Sequence, residues 1–356
     1  MNAPFRLYGA DLSPYSIKVR SYLRYKGIEF EWLQRSNARQ EEVSRYAKLP
    51  LTPILVDAGD NALQESTAII EALERDSADP SITPDDAGLA FISALLEDYA
   101  DEWLNKVMFH YRWSYPDDQA SAAARTVAML FEGTDVPEGI EDSVRTRMAA
   151  RLHHAGSSGE NAAVLEASLT RAIAGFEALI GSHAYLFGGR PSLADFGLAG
   201  QFAQLLSDPT PGAMLRAQAP NLVRWVERMQ NPSAEGPFVS LSAVRDALVT
   251  VLRDEVGGAY LAWMAANAQA VSDDAPAVTI GIADGDFTQK PQRYAAKALA
   301  ELRRKRAGAS DADLAALLSE TGCDAALAPV ATLASPEMEP DDADADVGDE
   351  DEGDED

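Results

Sequence analysis

The sequence predicts an α/β layer followed by an all-α bundle, and three observations carry that expectation. Over residues 1–76, short apolar or alternating runs interleave with runs of helical period. From Thr83 onward, long segments keep helical period and convincing strands almost vanish. A hydrophobic content of 46% over 356 residues gives enough apolar surface for packed cores.

FRLYG (5–9) reads as a short strand. Residues 14–26 set Ile17, Tyr22, Leu23 and Tyr25 among Lys18, Arg20, Arg24 and Lys26 at helical spacing, and Gly27 ends that helix. EFEWLQ (29–34) alternates as a strand, residues 39–47 make a short polar helix, and PILVD (53–57) is an apolar strand. DAGDNALQ (57–64) turns at Gly59 and Asn61 into another short strand, after which Ser66 caps the helix TAIIEALER. Residues 82–113 read as one long helix with Pro84 near its start, and helical runs follow at 141–156, 162–181 and 192–206. In the last of these, Ser192 and Asp195 have the spacing of a capping box. Beyond Leu241, residues 244–271 are helical, Asp284-Gly285 lies between two period-2 segments as in a hairpin, and 293–306 form a basic helix. This last region is expected to pack on the bundle and not to stand as a separate domain.

The formal charge is −27, and Glu337–Asp356 alone hold 13 acids and no base. The remainder still sets 44 acids against 30 bases. Nucleic acid and anionic membranes are bound chiefly through Lys and Arg, so neither is expected as a partner. One cysteine, Cys323, excludes an intramolecular disulfide framework and fits a reducing compartment. Its segment has neither a helix start nor basic neighbours, so it reads as a buried, unreactive thiol. The four histidines lack zinc spacing, and no metal is expected. With no leader at MNAPFRLYGA and no apolar run of about 18 residues, the expected location is cytoplasmic. The composition from about Ser335 is that of disorder.

In LSPYSIKVR (12–20), a serine precedes a proline at the first helical position, and the first helical turn carries no acid. Such a turn can hold an anion on its free N–H groups, or Ser13 can simply cap the helix. The segments LTPILV (51–56), QESTAI (64–69) and RPSLADFGLAGQF (190–202) complete a set. In order, spacing and wording the four resemble the glutathione transferase family over roughly residues 5–230, and the S-P-x-S turn is similar to its serine-dependent branch.

The resemblance implies a thioredoxin-like glutathione-binding domain at 1–78, an all-α domain at 84–240, a helical extension with a hairpin at 241–330 and an acidic disordered tail at 335–356. It implies that Ser13 donates a hydrogen bond to the glutathione sulfur. A hydroxyl donor and the positive helix end favour the thiolate over a free thiol of pKa about 8.5. With serine and not cysteine at 13, conjugation or glutathione-dependent cleavage is expected over disulfide reduction. Pro53 is implied to be a cis-proline that turns the Thr52 backbone toward the cysteinyl part of glutathione. Glu65 and Ser66 are implied to hold the γ-glutamyl end, the serine with nearby N–H groups taking the carboxylate and Glu65 the ammonium.

Leu51 stands where many serine-type relatives carry a base for the glycine carboxylate; Lys48 or Arg45 are the expected substitutes. Tyr8, Tyr111 and Trp113 are the expected lining of a pocket for a small hydrophobic electrophile. The resemblance further implies a homodimer, with glutathione as co-substrate. A non-catalytic scaffold of the same fold is the alternative.

Overall fold

The computed structural model describes residues 4–76, 79–181 and 183–329. The first layer runs β1 (Phe5–Gly9), α1 (Pro14–Tyr25), β2 (Phe30–Gln34), α2 (Gln40–Tyr46), β3 (Ile54–Val56), β4 (Ala62–Gln64) and α3 (Ser66–Asp76). The sheet order is β2-β1-β3-β4, with β1 parallel to β2, antiparallel to β3, and β3 antiparallel to β4. Strand alternation divides its side chains between two faces. Leu7 and Leu55 pack with Val19, Leu23, Ile69 and Ile70 of α1 and α3, whereas Tyr8, Leu33, Ile54 and Val56 pack against Val43 of α2.

The long helix expected from residue 82 starts later and is not regular throughout. Asp86 accepts from the Leu89 N–H at 2.9 Å and so caps α4 (Ala87–Tyr99), leaving Pro84 outside the helix. A wider π-helical turn at Ala100–Leu104 then separates α4 from α5 (Asn105–Ser114). Next comes α6 (Pro116–Leu130), an element the sequence reading did not anticipate, then α7 (Ile140–Ala150) and α8 (Ala162–Ile180). α9 (Leu193–Ser207) carries the expected capping box, and α10 (Pro209–Gln218) and α11 (Pro220–Arg228) follow it. The fold class is the expected one: an α/β layer, then a helical bundle.

The extension contains α12 (Leu241–Val251), a second π-helical stretch (Leu252–Leu261), α13 (Ala262–Ser272), the antiparallel hairpin β5 (Val278–Ile282) and β6 (Gly285–Gln289), α14 (Arg293–Gly308), α15 (Ala312–Glu320) and α16 (Asp324–Leu327). It is not autonomous. Leu248, Val256, Tyr260, Leu299 and Leu317 belong to the same apolar core as Leu89, Leu95 and Leu165 of the bundle and Leu7 of the sheet. A buried carboxylate ties the two π-helical stretches together: Glu255 accepts from Tyr99 and Trp103, each at 3.1 Å, and from Ser168 and Arg171. Cys323 is fully buried, and burial raises its thiol to about 11. The acidic segment 335–356 lies outside the described residues. Among the described residues, no helix is long and apolar enough to cross a membrane.

Candidate active site

The first turn of α1 is where the sequence motifs converge. Ser13 has extended backbone dihedrals, and its Oγ accepts from the Ser16 N–H at 3.2 Å, so it does cap the helix. A hydroxyl that accepts one bond still has a proton to give, and the Ser13 proton has no acceptor among the described residues. Ser16 then links this turn to the third strand, because its Oγ lies 3.4 Å from Thr52 Oγ1. The Thr52–Pro53 bond is cis. The main-chain N–H and C=O of Thr52 bond to no backbone group among the described residues, so both are available to an extended ligand.

The loop before Thr52 is held by an amide clamp. Gln64 Nε2 donates to the Leu49 and Leu51 carbonyls at 2.8 Å each, and its Oε1 accepts from the Lys48 and Leu49 N–H groups. Leu51 is 46% exposed, and the cationic side chain that hydrogen-bonds to this loop is neither Lys48 nor Arg45. It is Arg35, at the end of β2, whose Nη1 donates to the Pro50 carbonyl at 2.8 Å. Burial lowers the Arg35 pKa.

At the start of α3, the cap sits one residue earlier than expected. Glu65 adopts φ +79 and its carbonyl accepts the Ile69 N–H at 2.9 Å, so Glu65 occupies the cap position and Ser66 is the first helical residue. A non-glycine residue in the left-handed region is a strained feature of the kind that gathers at functional sites. Ser66 is buried, while the Glu65 side chain is exposed. The protein around Glu65 nonetheless raises its carboxyl pKa, opposed by Lys18.

Behind this surface, Lys18 joins the domains. It is 1% exposed, and its Nζ donates to Glu97 Oε1 at 2.5 Å, Asp101 Oδ2 at 2.6 Å and Thr67 Oγ1 at 2.9 Å. Burial would raise the Glu97 carboxyl, but Lys18 outweighs it and holds that pKa down; for Asp101, burial wins and the pKa rises to about 7.

The second domain reaches the Ser13 turn directly. Arg112 Nη1 donates to the Leu12 carbonyl at 3.1 Å, and Gln204 Nε2 donates to the Asp11 carbonyl at 2.9 Å. Arg112 is itself held by Asp208 at 2.8 Å and by Gln204 Oε1 at 2.8 Å. α9 comes so close to α1 here that a Cβ on Gly200 would lie 2.4 Å from the Pro14 carbonyl oxygen, which explains the second glycine in RPSLADFGLAGQF.

The three expected pocket residues are all enclosed. Tyr8 is fully buried on the α2 face of the sheet, and its hydroxyl donates to Glu42 at 2.6 Å. Tyr111 is 3% exposed in the main core and stacks on Tyr115. Trp113 packs with Ala122, Ala123, Val127 and Val144 of α6 and α7, the first of which is missing from the sequence reading. Residues this enclosed are packing and not the lining of an open pocket. A cavity of about 350 Å³ does lie between α3 and α4, lined by Glu71, Glu74, Pro84 and Lys305 among others. None of the residues expected to bind glutathione lines it, so it carries no part of the proposed chemistry.

Two family models match the chain: "Glutathione S-transferase, N-terminal domain" over residues 7–81 and "Glutathione S-transferase, C-terminal domain" over residues 143–228. The chain belongs to the glutathione S-transferase family. A curated member, the isoprene-epoxide–glutathione S-transferase of Rhodococcus sp. strain AD45, is 24% identical over 230 residues, covering 62% of this chain and 92% of the relative. Among solved structures, a Methylobacterium radiotolerans glutathione S-transferase in complex with glutathione sulfonate is 22% identical, with a TM-score of 0.42 and coverage of 67% of this chain and 96% of that one. The β-etherase LigF of Sphingobium sp. strain SYK-6 is 19% identical, with a TM-score of 0.44 and coverage of 64% and 95%. Both transferase family models end before residue 241, where the extension begins.

Proposed function

We propose that this transferase activates glutathione as a thiolate at Ser13 and joins it to an electrophilic carbon in a small apolar molecule. The observation that carries this reading is the uncommitted Ser13 proton at the start of α1, linked through Ser16 to Thr52 beside the cis-proline. A hydroxyl donor and a helix N-terminus both favour the anionic form of sulfur. A depression of about two pKa units corresponds to roughly 2.7 kcal/mol, within reach of two such contacts.

In this reading the free backbone groups of Thr52 pair with the cysteinyl unit. Ser66 and the α3 N–H groups take the γ-glutamyl carboxylate, and Glu65 takes the ammonium. Arg35 supports the glycine end in place of a base at Leu51. An epoxide is the electrophile class that the name of the Rhodococcus relative supplies. The sulfur would then bond to a ring carbon, the C–O bond would break, and the alkoxide would take a proton from water.

Calorimetric titration with reduced glutathione, alongside Ser66→Ala and Ser13→Ala, tests the reading. Saturable binding is expected, weakened in Ser66→Ala, with the ultraviolet thiolate signal lost or shifted to higher pH in Ser13→Ala. An absence of binding at millimolar glutathione would overturn it.

A further inference from the structure

We propose that Arg112 and Gln204 are positioning residues that set the acidity of bound glutathione from the second domain, an inference that rests on the Ser13 reading above. The peptide joining Leu12 to Ser13 is pinned at both ends. Its carbonyl accepts from Arg112 at 3.1 Å, and its N–H, that of Ser13, donates to the Ala10 carbonyl at 3.0 Å. The preceding carbonyl, of Asp11, is taken by Gln204 at 2.9 Å. Two successive carbonyl dipoles are therefore committed to donors on α5 and α9 and are not free to turn toward a bound sulfur.

This arrangement matters because a carbonyl oxygen facing a thiolate opposes the stabilisation that the hydroxyl and helix end provide. If the 11–12 carbonyls were free to rotate, the turn would lose part of its preference for an anion and Ser13 would lose its fixed direction. The holding groups are themselves fixed. Arg112 and Gln204 are nearly fully buried, Asp208 accepts from both Arg112 and Arg125, and Gln204 Oε1 accepts from Arg112. Gly200 brings α9 against Pro14, so the whole turn is moulded on the bundle. Neither Arg112 nor Gln204 needs to touch glutathione for this to operate.

The test is the apparent pKa of the bound thiol, read from ultraviolet thiolate absorbance of the enzyme–glutathione complex across pH, with S-methylglutathione as the blank. Arg112→Lys keeps the charge but not the fork that reaches Leu12 and Asp208 together. It should raise the bound-thiol pKa by about one unit, a tenfold loss of thiolate at fixed pH below that value. Gln204→Leu should raise it in the same direction, and it decides the matter if Arg112→Lys does not fold. Unchanged thiol pKa values in both folded variants, with only thermal stability reduced, would overturn the inference while leaving Ser13 intact. A wild-type complex whose thiol titrates near the free value of about 8.5 would overturn the underlying Ser13 reading and this one with it.

Discussion

Replacing Lys18 with methionine removes the cation between two buried carboxylates and keeps most of the side-chain volume. Glu97 and Asp101 oxygens lie 2.5 and 2.6 Å from the same Nζ, so they are at most about 5 Å apart. At an effective dielectric of about 20, two charges at that distance repel by roughly 3 kcal/mol. Removing one partner of a buried ion pair costs about 3–5 kcal/mol in general, and the two figures agree. The sign with pH follows from Asp101, whose folded pKa of about 7 lies above its ordinary 3.8. Its protonation favours the folded state below that window, and this contribution is lost as pH rises through 7. Without Lys18 both carboxyls shift upward, so the deficit should be largest at pH 8 and smaller by at least about 1 kcal/mol at pH 5.5. Urea unfolding followed by far-ultraviolet circular dichroism and by the fluorescence of buried Trp103, Trp225 and Trp263 measures it. A loss under about 1 kcal/mol at pH 8, or an equal loss at both pH values, would refute the reasoning.

Asp195→Ala should cost at least about 3 kcal/mol, because the carboxylate accepts from Leu186 N–H, Ser192 N–H and Trp225 Nε1 at 2.8–2.9 Å, and all three donors would be left buried; thermal unfolding checks this, and a shift of only one or two degrees would contradict it. Cys323, fully buried and with its thiol raised to about 11, should react with an aromatic disulfide reagent at neutral pH only as fast as the protein opens, so its modification rate should rise with urea together with unfolding. Prompt labelling of the folded protein would show that the α15–α16 region is not closed over it.

Much of the fold was legible because its signals are local. Alternation gave the strands, Gly27 and the Ser192–Asp195 pair gave helix ends, and Asp284-Gly285 gave the hairpin, although Gly285 itself pairs with Ile282 in the ladder. The π-helical turns at 100–104 and 252–261 were not legible, since a wider turn leaves the surrounding helical period intact. Of the site, the motif around Ser13 and the cis bond at Pro53 could be read from short segments. Arg35, Gln64, Arg112 and Gln204 could not, because each acts through a backbone carbonyl remote in sequence, which no residue pattern encodes. Tyr111 and Trp113 misled for a related reason. An aromatic at helical spacing faces whatever packs against it, and for Trp113 that is α7 together with α6, a helix the sequence does not announce.

The shared core of bundle and extension also bears on how the chain is made. Synthesis runs from the amino terminus, so α4 and α8 leave the ribosome well before the segments that cover them, the last of which is near Leu327. At about 5–20 residues per second, the stretch from Leu241 to Leu327 takes on the order of 5–20 s to emerge. Throughout that interval the nascent bundle presents an apolar face to solvent or to whatever chaperone meets it.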